Sequence, residues 1–177
     1  RALRRHLREG LEGVLLVLNI DRFKLVNDSI GYGAGDKLVV HFAQLLKSML
    51  RTDDFVARTG GDEFSVILSN TSTDDAGIQA KEILRALSAR EFVVEGKSTH
   101  VTARAGGISL GHYGKTSDEL LSNVHIALGE AKSRGSNTYC LFDDLELRQQ
   151  DSLKKMELLN FVSKCLEQEQ ERLILYY

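Results

Sequence analysis

The sequence predicts an α+β fold in which helices flank one mixed central β-sheet, and three observations lead to this prediction. Residues 13–20 are almost continuously apolar, as in a strand buried on both faces of a sheet that helices cover. Two glycines at 60–61 separate two strand-like runs, as in a tight hairpin whose glycines take positive φ. Amphipathic runs lie between the strands, and the order is β-α-α-β-β-α-β-α-β.

The first half of the chain predicts the buried strand and the helices around it. A short basic helix is expected over 2–9. In the helix after the strand, Lys24 and Asn27 lie three residues apart and therefore share one face. The glycine-rich segment 31–36 either brings backbone close to a ligand or joins two helices. Asp36 begins a strongly amphipathic run, where an acid either caps the helix or contacts a ligand.

The second half predicts two more helices and the remaining strands. Residues 72–75 form a helix-start pattern. The positions of that helix expected to face the core are Ile78, Ile83, Leu84 and Leu87. One strand is expected over 100–110, where the glycines at 106–107 indicate a bulge or a close backbone approach. A capping box opens a helix over 116–135, and a last strand follows over 137–142.

The composition is that of a folded globular domain from a reducing compartment. The 177 residues suit one domain with an appendage, and 42% hydrophobic and 27% charged residues allow a packed core. A formal net charge of −2 gives no electrostatic reason to expect nucleic acid as a partner. The two cysteines lack metal-type spacing, and no apolar run is long enough to span a membrane.

Two acids directly follow the glycines of the predicted hairpin. Asp62 and Glu63 stand where a strand normally takes Val, Ile or Thr. Two carboxylates beside a tight turn are suited to hold a divalent cation and the molecule that the cation binds. The alternative is a solvated turn with surface acids, and a four-residue motif alone does not decide between the two.

A change of pattern after position 143 predicts a domain boundary. We assign residues 1–143 to the main domain with its short N-terminal linker helix, and residues 144–177 to a second element. Residues 145–170 are rich in Leu, Gln, Glu and Lys with apolar positions at helical spacing, and 173–177 are strand-like. We expect a connecting helix and the first strand of a further domain, and therefore a fragment of a longer protein.

Four separated motifs occur in the main domain. They are Asn-Ile-Asp-Arg-Phe-Lys-Leu-Val-Asn-Asp (19–28), Gly-Tyr-Gly-Ala-Gly-Asp (31–36), Arg-Thr-Gly-Gly-Asp-Glu-Phe (58–64) and Ala-Leu-Gly-Glu-Ala-Lys-Ser-Arg-Gly-Ser-Asn (127–137). In their order and spacing the chain resembles the GGDEF family, the diguanylate cyclases, over about residues 3–143. The tail resembles the opening helix and first strand of an EAL phosphodiesterase domain, and bacterial signalling proteins commonly join the two.

The resemblance implies the fold of nucleotide cyclase and polymerase palm domains, together with a reaction. Two molecules of GTP would be condensed into cyclic di-GMP and two pyrophosphates, with each monomer of a homodimer presenting one GTP. Mg²⁺ or Mn²⁺ would neutralise the triphosphate and align the nucleophile with the leaving group. Cyclic di-GMP would also bind as an inhibitor, and an EAL domain would act in cis. The domain would be cytoplasmic, and tethering to the inner membrane by segments outside this stretch is left open.

The resemblance also assigns roles by position. Asp62 would be the catalytic metal-binding acid, and Glu63 a second catalytic acid for metal binding or proton transfer. The main-chain carbonyl of Ile20 and the side chain of Asn19 would complete the metal ligands. The substrate contacts would be Asn27 and Asp36 to guanine, Lys24 and Lys132 to phosphate, and Gly60 and Gly61 through close approach of backbone. Arg51 and Asp54 would form the inhibitory product site.

Four positions depart from the family pattern. Asn19 stands where the family has a metal-binding aspartate, which removes one negative charge. Ser136 stands where an arginine would contact phosphate, with Arg134 close by as a candidate replacement. Tyr32 replaces a histidine and Gly129 a tyrosine. An active diguanylate cyclase is favoured over a module that binds GTP or cyclic di-GMP without cyclising and regulates an attached EAL domain.

Overall fold

The computed structural model describes residues 2–94, 97–111, 116–143, 156, 158 and 159. In chain order the elements are α1 (Ala2–Glu9), β1 (Gly13–Ile20), α2 (Phe23–Ile30), α3 (Tyr32–Met49), β2 (Phe55–Arg58), β3 (Glu63–Ser69), α4 (Thr73–Ser88), β4 (Glu91–Val94), β5 (Lys97–His100), β6 (Ala103–Leu110), α5 (Ser117–Arg134) and β7 (Tyr139–Leu141). They confirm the predicted α+β fold with a mixed central sheet. None of the helices in these ranges is both long and apolar enough to cross a membrane.

In the described part of the chain the central sheet has five strands in the order β2-β3-β1-β6-β7, so the apolar strand β1 lies in the middle. It is antiparallel to both of its neighbours, whereas β6 and β7 are parallel. Side chains alternate between the two faces of a strand. Leu16, Leu18 and Ile20 pack into the core formed with α3 and α4. The other face lies under α5, where a Cβ on Gly106 would stand 2.5 Å from the backbone nitrogen of Leu128, which confirms the predicted close approach.

The strand predicted over 100–110 is divided in two. Its first part belongs to β5, which pairs with β4 in a separate two-stranded sheet. The pairing of β6 with β1 ends where Ala103 meets Ile20, because β1 goes no further. Beyond that point Thr102 turns its carbonyl oxygen and its hydroxyl to Asp21. The predicted strand is divided at this point because its neighbour β1 ends there, which local sequence does not reveal.

One of the two alternatives for Asp36 and one prediction about α4 are wrong. Asp36 does not cap α3, because that helix already begins at Tyr32, and Gly31, with φ of 104°, separates it from α2. Ile78 does not face the core and is 59% exposed. The buried face of α4 instead consists of Ala76, Gly77, Ala80, Ile83, Leu84 and Leu87. Part of this face consists of small residues, so the position of the large apolar Ile78 does not indicate which face of α4 is buried.

The predicted start of α4 and the two predicted ends of α5 agree with the structure. Ser72 caps α4 by accepting a hydrogen bond from the backbone of Asp75, and Thr116 and Glu119 form the complete capping box of α5. Gly135 follows α5 with φ of 117°. These local rules fix where α5 begins and ends, and so they fix the position of the basic residues in its last turn.

The chain divides into two units, Arg1–Asp143 and Asp144–Tyr177. In the second unit Met156, Leu158 and Leu159 are helical and exposed. The rest of the helix predicted over 145–170, and the strand-like end over 173–177, lie outside the described residues. The identity of this unit therefore stays a prediction.

Candidate functional site

An arginine holds the tip of the β2–β3 hairpin, which consists of residues 59–62. Arg58 stands opposite Phe64 where the two antiparallel strands meet the tip. Its guanidinium donates to the carbonyl oxygen of Gly60 at 3.0 Å and to that of Gly61 at 2.6 Å. Sequence reasoning misses this role, although a long side chain with several donors two residues before a pair of glycines is the signal that could have found it.

The two glycines do not adopt the backbone conformation that the sequence predicts for them. Neither Gly60 nor Gly61 has a positive φ, so the expectation of left-handed glycines is wrong. A Cβ on Gly60 would lie 3.2 Å from the Cβ of Glu63, whereas one on Gly61 would meet open space. Gly60 therefore allows the tip to close over Glu63, and Gly61 leaves the tip accessible to another molecule.

The end of β1 meets the hairpin tip. The backbone nitrogen of Ile20 donates to the carbonyl oxygen of Asp62 at 2.9 Å, and the side-chain nitrogen of Asn19 lies 3.5 Å from the same oxygen. In the sheet register Asn19 pairs with Glu63. The structure thus brings together the four residues predicted as metal ligands, although Asn19 and Asp62 are 43 positions apart in sequence.

The donor chemistry of this group suits a hard divalent cation. It offers the carboxylates of Asp62 and Glu63, the amide oxygen of Asn19 and the main-chain carbonyl of Ile20. Mg²⁺ prefers such oxygen ligands and usually completes its shell with water and phosphate. Within the described part of the chain, no group of three or more His, Cys, Asp or Glu side chains is arranged to hold a metal. With two carboxylates, one amide oxygen and one carbonyl oxygen, the residues fit an ion that completes its coordination with water and phosphate.

A third acid at the strand end is already engaged. Asp21 is buried, and its Oδ2 accepts a hydrogen bond from the hydroxyl of Thr102 at 2.6 Å. Its Oδ1 lies 2.9 Å from a terminal nitrogen of Arg104. Arg104 in turn donates from Nε to the carbonyl oxygen of Gly135 at 2.9 Å. Through these two contacts Arg104 of β6, which sequence reasoning misses, joins the end of β1 to the glycine that follows α5.

The two residues predicted to bind guanine come from neighbouring helices. Asn27 on α2 lies against Gly35 on α3, and a Cβ on Gly35 would overlap the side-chain oxygen of Asn27. Asp36 follows Gly35 directly and is exposed. The side-chain oxygen of Asn27 is buried and accepts no hydrogen bond within the residues that the structure describes. An unsatisfied buried acceptor beside an exposed carboxylate suits a ligand that carries hydrogen-bond donors.

The side chains predicted to contact phosphate differ in whether another residue already binds them. Lys24 on α2 and Lys132 in the last turn of α5 are both exposed. Arg134, the candidate replacement for the missing arginine at 136, donates from Nε to Glu130 at 2.8 Å. This hydrogen bond raises the pKa of the Arg134 guanidinium. Arg134 is therefore held along its own helix by a neighbour one turn away.

Within the described ranges, Glu63 has two side-chain partners. Its carboxylate accepts a hydrogen bond from the hydroxyl of Thr59 at 3.0 Å and lies 3.1 Å from Nε2 of His125 on α5. Nδ1 of His125 lies 2.6 Å from the carbonyl oxygen of Leu121, and it carries a hydrogen because a carbonyl oxygen only accepts. Sequence reasoning misses His125, since nothing in the local pattern shows that α5 crosses β3 at this point.

The predicted product site lies at the hairpin base, which we define as residues 51–54 together with Ser69. Both carboxylate oxygens of Asp54 accept backbone hydrogen bonds, from Arg51 at 2.8 Å and from Ser69 at 3.1 Å. The side chain of Arg51 is exposed. Because β3 rises by about 3.3 Å per residue, the base lies roughly 20 Å from Glu63 at the other end of the strand. The structure therefore does not bring Arg51 and Asp54 together with the other predicted residues.

Comparison with known proteins identifies what this arrangement is similar to. The family model described as "Diguanylate cyclase, GGDEF domain" matches residues 1–138. Diguanylate cyclase DgcP from Pseudomonas aeruginosa is 41% identical over 133 residues, which are 75% of this chain and 19% of that protein. The bifunctional diguanylate cyclase/cyclic di-GMP phosphodiesterase MucR from the same organism is 28% identical over all 177 residues, which are 25% of its length.

A solved structure has a similar fold. The GGDEF domain of DgcB from Caulobacter crescentus in complex with c-di-GMP superposes with a TM-score of 0.73 at 25% identity, over 81% of this chain and 85% of that one. The chain covers most of that solved domain, whereas it spans a quarter or less of the full length of DgcP and MucR. The similarity therefore concerns one domain of those longer proteins.

Proposed function

The chain belongs to the GGDEF family of diguanylate cyclases, and from this premise we propose that its main domain condenses two molecules of GTP into cyclic di-GMP and two pyrophosphates. The observation that carries the proposal is the hydrogen bond from Ile20 to the carbonyl oxygen of Asp62. It joins the hairpin tip to the end of β1 and gathers oxygen donors beside an accessible turn. Such a set supports phosphoryl transfer, in which positioning and charge neutralisation supply most of the catalysis.

Asn27 and Asp36 would select guanine. The exposed carboxylate of Asp36 accepts hydrogen bonds, and guanine presents N–H donors on its Watson–Crick edge. The unsatisfied oxygen of Asn27 is a second acceptor beside it. Gly35 supports this role, because only glycine leaves room for Asn27 at this crossing of α2 and α3.

Asp62, Asn19 and the carbonyl of Ile20 would hold the divalent ion, for which Mg²⁺ or Mn²⁺ is proposed. When bound, the ion would neutralise triphosphate charge and align the attacking and leaving oxygens. Lys24 and Lys132 would contact the phosphates from two sides of the strand end. Glu63 would act as the second acid, and the hydrogen bond from Thr59 together with the contact to His125 would keep its carboxylate in one orientation.

The reaction requires two GTP sites to face each other, so we propose that catalysis occurs in a homodimer. Gly61 at the hairpin tip and Lys24 on α2 are both exposed, and exposed substrate residues of this kind are what a meeting with a second copy requires. The 3′-hydroxyl of one nucleotide would attack the α-phosphorus of the other. A new phosphorus–oxygen bond would form as the bond to pyrophosphate breaks, and the hydroxyl proton would leave to a base.

Arg51 is proposed as the arginine of the inhibitory product site. Its exposed guanidinium is suited to bind the phosphates of cyclic di-GMP. The contacts of Asp54 support a different task for that residue, since its carboxylate is already shared between two backbone amides. Asp54 would hold the turn from which Arg51 projects.

The tail is proposed to lead into an EAL phosphodiesterase domain, with the boundary after residue 143. The similarity to MucR supports this assignment, because it extends over the whole chain and MucR is named as both a cyclase and a phosphodiesterase. An EAL domain in cis would then degrade the product of this one. The cytoplasmic location stays a prediction.

The proposal is tested by incubating the purified protein with GTP and Mg²⁺ or Mn²⁺ and measuring cyclic di-GMP by mass spectrometry. We expect cyclic di-GMP and pyrophosphate at a ratio of one to two. The control omits the divalent ion from the same reaction, and it should yield no cyclic di-GMP. GTP binding at high protein concentration without product, in the presence of the ion, would contradict the cyclase function and favour the non-cyclising module.

A further inference from the structure

Arg104 of β6 stands beside the proposed metal ligands. In the sheet register Asn19 pairs with Glu63 on one side and with Arg104 on the other. Paired residues of neighbouring strands point to the same face of a sheet, with Cβ atoms about 5 Å apart. Glu63, Asn19 and Arg104 therefore form one row across three strands, on the face that α5 covers.

The guanidinium of Arg104 is fixed by two contacts. A terminal nitrogen lies 2.9 Å from the buried carboxylate of Asp21, and Nε donates to the carbonyl oxygen of Gly135 at 2.9 Å. The arginine side chain is 24% exposed, whereas that of Asp21 is 4% exposed, so the cation is the accessible member of the pair. An arginine carries five N–H donors on three nitrogens. Its second terminal nitrogen makes no hydrogen bond or ion pair with the residues that the structure describes.

The contact with Gly135 brings this cation to the last turn of α5. Gly135 directly precedes Ser136, the position at which the family pattern has an arginine for phosphate. It lies three residues after Lys132, a proposed phosphate contact. Arg134, the nearest arginine in sequence, is instead bound to Glu130. A guanidinium therefore does stand beside position 136, and it comes from β6.

We propose that Arg104 binds the nucleotide phosphates and supplies the guanidinium that position 136 lacks. The free terminal nitrogen donates to a phosphate oxygen held between Asn19 and the end of α5. Asp21 and Gly135 fix the other donors, so that little side-chain freedom is lost when the phosphate binds. The assignment rests on the proposed function, because it concerns the phosphates of the same substrate.

The test measures binding of GTP and of inorganic tripolyphosphate, each with Mg²⁺, by isothermal titration calorimetry. The main variant is Arg104→Lys, which keeps a positive charge beside buried Asp21 but loses the planar fork. We expect it to bind both probes about tenfold or more weakly, the loss of one charge-assisted hydrogen bond. Arg134→Gln is the matched control, with unchanged affinity for both probes.

A rescue variant separates direct binding from a structural effect. Arg104→Lys combined with Ser136→Arg restores a guanidinium at the same place and should recover most of the lost affinity. Equal affinities of Arg104→Lys and the unaltered protein for both probes would overturn the assignment and leave the proposed function intact. Failure of the rescue, with a lowered melting temperature, would equally overturn it in favour of a structural role.

The two probes also separate this proposal from the proposed function. If the unaltered protein binds tripolyphosphate in an Arg104-dependent way but does not prefer GTP, the guanine function fails and the phosphate role of Arg104 stands. If the unaltered protein binds neither probe, both proposals are wrong.

Discussion

The acids at the two ends of the β2–β3 hairpin are used in opposite ways. At the base, Asp54 accepts from two backbone amides, and the hydroxyl of Ser69 donates to the carbonyl of Asp53. At the tip, the carboxylate of Asp62 has no hydrogen bond or ion pair with the described residues, and on α2 the buried side-chain oxygen of Asn27 also lacks a partner among them. A buried acceptor such as that of Asn27 is costly unless something completes it. The contrast indicates a base built for stability and a tip built to receive a ligand.

The largest expected effect comes from removing the acid at the tip. Asp62→Asn keeps the size of the side chain but removes the negative charge that would hold the divalent ion. We expect the rate of cyclic di-GMP formation to fall about 1000-fold, equivalent to roughly 4 kcal/mol of transition-state stabilisation. Asp118→Asn, an exposed acid in the first turn of α5, is the matched control. A loss below tenfold in Asp62→Asn would show that this carboxylate is not a metal ligand.

At the base, two neighbouring substitutions should have different consequences. Arg51→Ala should weaken cyclic di-GMP binding by about tenfold to 100-fold, because charge-assisted hydrogen bonds to phosphate are lost, and should leave stability unchanged. Asp54→Ala should lower the free energy of unfolding by about 2 kcal/mol, since two backbone amides lose their acceptor. Calorimetric titration and chemical denaturation measure the two quantities. Equal stability of Asp54→Ala and the unaltered protein would refute the structural role of Asp54.

For Asn27, which is proposed to contact the guanine base, we expect effects opposite to those of Asp54. Asn27→Ala should cost little stability, because this oxygen has no partner to lose among the described residues. It should weaken GTP binding about tenfold, the equivalent of one hydrogen bond to the base. Titration with GTP and with ATP checks the effect, since the preference for GTP should fall. If affinity for GTP stays the same, Asn27 is not part of the base site.

The smallest expected effect concerns the neutral ligand at the strand end. Asn19→Asp adds a carboxylate beside the proposed ion and should raise turnover, by at most about tenfold. The neighbouring guanidinium of Arg104 limits the gain, because it attracts the new charge. Initial rates at varied Mg²⁺ concentration measure the change. Unchanged rates at every concentration would mean that the missing charge does not limit this domain.

Features that depend on neighbouring residues in the sequence were predictable. The apolar run of β1, the capping box at Thr116 and the hairpin around Gly60 all follow from local spacing, and the structure contains each of them. Features set by distant parts of the chain were not. The break between β5 and β6 depends on where β1 ends, and the exposure of Ile78 depends on which face of α4 meets the sheet.

The same distinction applies to the site. The motifs allowed Asp62 and Asn27 to be proposed from sequence, because each motif is local. Arg104, which pairs with Asn19, and His125, which contacts Glu63, come from other elements, and only strand register and helix packing bring them there. Asp36 shows the reverse case, in which a good local explanation as a helix cap is excluded by where α3 begins.

The most direct test of the contrast between tip and base is hydrogen–deuterium exchange with each nucleotide in turn. A non-cyclising GTP analogue with Mg²⁺ should slow exchange over residues 19–36 and 58–64 and leave 51–54 unchanged. Cyclic di-GMP should slow exchange over 51–54. Protection of 51–54 by the GTP analogue, without protection of the tip, would contradict the account.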